Sequence, residues 1–151
     1  GENLWKQNLL MQAVLYHEYT HVLVRMAAGQ NAPFWLNEGL AEYEARRFKP
    51  PAANGRRKKL LYAVPRLFTL DELAGLSIAV LSSLPPEAIE LAYAQSEDFM
   101  LFLLEKYSLR DIQGLLARLG KGASASAAAI SELNAELSDL EQKWRERFKN
   151  P

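Results

Sequence analysis

Val14-Leu15-Tyr16-His17-Glu18-Tyr19-Thr20-His21-Val22-Leu23-Val24 contains the only two histidines of the chain, four positions apart around a glutamate. At about 3.6 residues per turn, positions i and i+4 stand on one face of a helix, so both imidazoles can reach one metal ion. Glu18 lies beside them on the same wheel, close enough to hold and deprotonate a water at that ion. The flanking Val14, Leu15, Val22, Leu23 and Val24 are apolar, which predicts a buried helix giving the site a dry, rigid surround. The pattern predicts a helix from about Asn3 to Ala28, stopped by Gly29. An ordinary amphipathic helix with two core histidines would show the same spacing.

H-E-x-x-H on a helix is a zinc-hydrolase pattern, in which the histidines bind the metal and the glutamate is the general base. A catalytic zinc commonly takes a third protein ligand. Pro33-Phe34-Trp35-Leu36-Asn37-Glu38-Gly39-Leu40-Ala41-Glu42-Tyr43 offers one. Gly29, Gln30, Asn31 and Pro33 turn the chain, and a second helix is predicted from about Asn37 to Phe48, returning alongside the first. Gly39 and Ala41 are small enough to let the two axes approach. Glu38 then points at the metal from the first turn, and Glu42 falls on the same face. Metal-bound histidines usually donate their other N–H to a carboxylate or carbonyl, a role open to Glu42. The alternative is that Glu38, Glu42 and Glu44 form a solvated acidic face.

H-E-Y-T-H followed by W-L-N-E-G-L-A-E-Y resembles the gluzincin zinc metallopeptidases, the class of thermolysin and the zinc aminopeptidases, and within it the compact peptidase MA-like group. The resemblance implies one Zn2+ per chain, bound by His17, His21 and Glu38, with Glu18 as the base. It implies a mainly α, zincin-like domain whose HExxH helix packs on a Glu-bearing helix, here with little or no sheet. Sixteen residues separate His21 from Glu38, slightly fewer than in the large aminopeptidases. Leu91-Ala92-Tyr93-Ala94-Gln95-Ser96 is similar to the family segment whose tyrosine donates to the tetrahedral oxyanion, which gives Tyr93 a catalytic role. Against that, Ile89, Tyr93, Ser96, Met100, Leu103 and Tyr107 follow helical spacing, as a core stripe would.

The 151 residues are expected to form a single metallopeptidase-like catalytic domain. Gluzincins carry an upstream β-sheet that aligns substrate, and none is encoded ahead of Gly1-Glu2-Asn3, so the domain is read as truncated on its N-terminal side. The charge balance is neutral, 18 basic against 18 acidic residues, and no global field argues for nucleic acid or membrane. With no cysteine, disulfides and thiolate zinc sites are excluded. No stretch is long and apolar enough to span a bilayer. Localisation is not legible, with a bacterial extracytoplasmic setting favoured by the resemblance alone.

Helices are predicted along most of the remaining chain. Residues 49–57 read as a loop and Leu60-Leu61-Tyr62-Ala63-Val64 as a short strand or extended segment. Thr69-Leu70-Asp71-Glu72 has capping-box spacing, and Pro85-Pro86 opens a long helix to about Tyr107. Leu109–Leu119 follows, then an Ala/Ser-rich stretch, 123–129, leading into an Ala-rich helix. A second capping box at Ser138-Asp139-Leu140-Glu141 is expected to start the last helix, carrying Trp144 and Phe148 inward. Arg46, Arg47, Lys49, Arg56, Arg57, Lys58 and Lys59 place seven of the 18 basic residues within fourteen positions. An anionic partner is one reading; a solvated loop is favoured, because no aromatic platform interleaves the charges.

The expected activity is zinc-dependent hydrolysis of peptide bonds in a peptide or protein substrate. A non-catalytic interaction module retaining the fold, or a zinc hydrolase of a non-peptide amide, are the alternatives.

Overall fold

The computed structural model describes residues 2–149, and among these residues there are nine helices and no strand. The mainly α architecture expected from the sequence is the one observed. The 27-residue α1 (Glu2–Ala28) is about 40 Å long at 1.5 Å per residue. It ends where Gly29 adopts φ 62° and donates its N–H to the Arg25 carbonyl at 2.9 Å. The Asn31 side chain then donates to the Leu119 carbonyl at 2.9 Å, pinning the turn.

α2 (Phe34–Arg46) begins three residues earlier than predicted, behind Pro33, so Glu38 lies in its second turn. This helix is the centre of the molecule, packed between α1 and α6 (Pro86–Leu104). Gly39 permits the second of these contacts rather than the first. A Cβ at Gly39 would stand 2.5 Å from the Ser96 carbonyl oxygen of α6. The core runs on through aromatic edges, with Trp35 against Phe99 at 5.3 Å and Phe99 against Trp144 at 5.4 Å. The Trp144 indole N–H donates to Asp98 Oδ2 at 2.8 Å, satisfying the polar edge of a fully buried ring.

Four expectations are corrected. Residues 49–57 are not a loop, and 60–64 are not a strand: both fall largely in α3 (Pro51–Ala63). Pro51 sits at the first helical position, where its missing N–H costs nothing. The only buried residue of α3 is Leu61, so its hydrophobic pattern was too faint to read as a helix. The last helix, α9 (Leu137–Glu146), starts one residue before Ser138, behind Glu136 and without a side-chain cap. Glu141 instead accepts from the Leu70 backbone N–H at 3.2 Å and the Arg145 Nε–H at 2.8 Å. Between α3 and α6, α4 (Leu70–Ala74) has the expected capping box at Thr69 and Glu72, and α5 (Ile78–Ser83), unforeseen, is capped by Ser77. α7 (Leu109–Gly120) and α8 (Ala125–Leu133) complete the order.

The fourth correction concerns α1. Its buried positions form one narrow stripe, Ala13, Thr20, Val24 and Ala28. The opposite side is apolar and exposed, with Trp5 at 67%, Met11 at 69%, Val14 at 62% and Leu15 at 64%. Apolar flanks around the histidines therefore do not bury them from every side. Among the described residues, α1 is covered on one face only.

Candidate metal centre

The packing of α2 on α1 brings the two motif stretches together. His17 and His21 project from one side of α1 with rings edge to face, centroids 4.7 Å apart. Their Nε2 atoms are 3.0 Å apart, and Glu38 Oε2, reaching from α2, is 3.5 Å from each. The three donor atoms lie within 4.8 Å of one another, a group able to hold a metal ion. Glu38 Oε2 is buried and makes no hydrogen bond, standing 3.5 Å from each imidazole Nε2. An orphaned buried carboxylate oxygen facing two imidazole nitrogens is a donor set that suits a small divalent cation such as zinc.

Both histidines are oriented from behind. His21 Nδ1 lies 2.9 Å from Asn37 Oδ1, and His17 Nδ1 lies 3.2 Å from Glu42 Oε1. With Nδ1–H donated backward in each ring, Nε2 is the nitrogen left for a metal. Asn37 escaped the sequence reading. The signal was present, since a polar acceptor immediately before Glu38 and one turn before Ala41 falls on the side facing α1.

Charges set the protonation of this group. The Glu38 carboxylate beside His21, opposed by burial and assisted by Asn37, pushes that imidazole from 6.5 up to about 9. Burial alone would raise the Glu42 carboxyl. The hydrogen bond to His17 and the charges of Arg57 and Lys49 outweigh it and hold Glu42 far below the usual carboxylate range. The Glu42 Oε2 atom contacts both Lys49 Nζ and Arg57 Nη1. The same Arg57 nitrogen donates to Glu97 Oε2 at 2.9 Å, and Arg46 donates to Glu97 Oε1 at 2.9 Å. Thus three of the seven clustered basic residues are internal counterions, not a solvated loop. Arg47 pairs with Glu44 at 2.6 Å and lies over the Tyr16 ring at 4.7 Å.

Glu18 is exposed and has no hydrogen-bonded partner among the described residues. With His17 it lines a cleft of about 450 Å³ walled by Leu10, Ala13, Val14 and Ala53. Tyr93, on α6, packs its ring edgewise on Phe34 at 5.5 Å. Burial, then the nearby carboxylates of Glu38 and Glu42, push its hydroxyl up, so it stays a proton donor at neutral pH. Tyr93 is half-buried rather than part of the closed core.

The sequence model of the Peptidase MA superfamily matches residues 7–150, nearly the whole chain. The chain belongs to the Peptidase MA superfamily. The matched range takes in both motif stretches and Tyr93. Searches of curated proteins and of solved structures give no match. Membership in the Peptidase MA superfamily points to a peptidase-like hydrolase, and the three-donor group agrees with the metal dependence typical of that superfamily.

Proposed function

We propose that this chain is a gluzincin-type metallopeptidase domain that hydrolyses peptide bonds with one zinc held by His17, His21 and Glu38. The observation that carries the reading is the buried, unpartnered Glu38 Oε2 equidistant from two Nε2 atoms. A bound zinc supplies Lewis acidity toward the attacking water and the scissile carbonyl. Glu18, free of internal partners and lining the cleft, accepts a proton from the water as its oxygen bonds to the carbonyl carbon. Glu18 then returns that proton to the amine nitrogen as the C–N bond breaks. The Tyr93 hydroxyl donates to the oxyanion that develops between these steps. Asn37 and Glu42 keep the two imidazoles in register.

The substrate is a peptide or protein, and nucleic acid is not expected, because Arg46, Lys49 and Arg57 are taken up by Glu97 and Glu42. The exposed apolar side of α1 favours a second reading, a protein-interaction module that retains the fold. A cleft-lining Glu18 weighs against it, since a purely structural site has no use for a base. Cleavage of a mixed peptide library, with zinc and with chelator, separates the two. Glu18→Gln should retain zinc and helicity while turnover falls at least about a hundred- to ten-thousandfold. Equal cleavage by both proteins, or no cleavage of any peptide by zinc-loaded wild type, would sink the peptidase reading. A library of non-peptide amides tests the remaining hydrolase reading.

A further inference from the structure

Behind the metal centre two carboxylates are almost completely buried, Glu42 at 5% and Glu97 at 2% exposure. Buried charges persist only where they are paired. Each has two cations, but only Arg57 is shared between them. A continuous line therefore runs from His17 on α1 through Glu42 on α2 and Arg57 on α3 to Glu97 on α6.

We propose that Arg57 is a positioning residue for the metal centre. It fixes the Glu42 carboxylate so that one oxygen is engaged by cations and the other receives His17 Nδ1–H. This turns His17 Nε2 toward the ligand point in advance of the metal. The inference rests on reading the three-donor group as a metal centre. Lys49 is not an equivalent. It contacts Glu42 alone, and a flexible ammonium can follow a carboxylate through several rotamers. Arg57 holds both carboxylates through one guanidinium nitrogen, Nη1, and Glu97 is held in turn by Arg46, so Glu42 is tied to a fixed neighbour on α6. Its helix has a single buried residue, Leu61, so this ion line is the main polar link between α3 and the site. The basic run of the sequence thereby acquires a task that its solvated-loop reading did not allow.

The test is zinc affinity of the whole chain, measured by competition with a chromogenic chelator alongside helicity from circular dichroism. Arg57→Ala should bind zinc about tenfold more weakly, the low end for partners that orient metal-bound histidines, with helicity retained. Arg57→Lys, which keeps the charge on a more flexible stem, should recover part of the loss. Arg147→Ala breaks the Arg147–Glu105 pair, which joins the end of α9 to the end of α6, and should leave affinity unchanged, which separates positioning from general weakening of the fold. In the metal-free protein, nitrogen-15 spectra of the two imidazoles should show His17 losing its Nδ1–H preference in Arg57→Ala. Wild-type affinity in folded Arg57→Ala overturns the proposal, and so does an equal loss in Arg147→Ala. If Arg57→Ala does not fold, Glu97→Gln, which frees Arg57 from its anchor, takes its place under the same criteria. Zinc in the wild type with no change in the variants defeats this inference alone; no zinc in the wild type defeats the metal centre with it.

Discussion

His17 Nε2 and His21 Nε2 lie 3.0 Å apart, a separation at which one nitrogen donates a proton and the other accepts it. With His21 Nδ1 bonded to Asn37 and its pKa pushed up to about 9, His21 is the doubly protonated partner. The metal-free fold thus keeps a proton where the ligand atoms converge. Because the folded value lies above the ordinary 6.5, this contribution to stability is complete below about 6.5 and is lost as pH rises through about 9. Zinc must displace the same proton. Its affinity should therefore climb steadily between pH 6 and about pH 9, with proton release on binding, measured by chelator competition and by calorimetry in buffers of different ionisation heat. A flat profile would contradict the arrangement.

Zinc content tests the third ligand. Protein purified without chelator should carry about one zinc per chain, and Glu38→Ala should carry little, since two imidazoles leave the ion largely to solvent. Elemental analysis decides it. Unchanged zinc would assign the third ligand to another carboxylate, Glu42 being the nearest to His17.

Tyr93→Phe removes one hydroxyl and little volume. Because the ring is held by Phe34, folding and zinc content should not change. Turnover should drop roughly ten- to a thousandfold if the hydroxyl serves the oxyanion. Steady-state kinetics on the best library peptide reads this, and undiminished turnover returns Tyr93 to a packing role.

Gly39→Ala puts a methyl group 2.5 Å from the Ser96 carbonyl oxygen. Backbone has to move, at a cost of about 1–3 kcal/mol, and α2 is pushed off α6. Since the neighbouring Glu38 travels with α2, zinc affinity should fall along with the denaturation midpoint. Full zinc affinity in a destabilised Gly39→Ala would show the ligand point to be independent of the α2–α6 contact.

The candidate site was legible where local periodicity decides it. Two histidines one turn apart must share a face whatever surrounds them, and Glu38 follows from a helix that has to return after Gly29. α3 was not legible, because its hold on the molecule comes from Arg57 meeting Glu42 and Glu97, partners 15 and 40 residues away. A sequence shows such an arginine only as charge. The exposure of Val14 and Leu15 was hidden for the opposite reason: an apolar residue states a preference for burial, while the presence of a cover depends on other elements. Asn37 falls between these cases, recognisable once the need of His21 for an acceptor is asked about.

The three tryptophans divide between two surroundings. Trp35 and Trp144 are sealed at 1% and 0% exposure, whereas Trp5 stands at 67% on the open apolar side of α1. Indole emission moves to longer wavelength in water, so the chain carries two short-wavelength fluorophores and one long-wavelength fluorophore. Trp5 is thereby an intrinsic optical sensor for that side of the helix. Anything that settles on it, whether a detergent, a protein or a second copy, will shift and protect the red component while the light from Trp35 and Trp144 stays as it was.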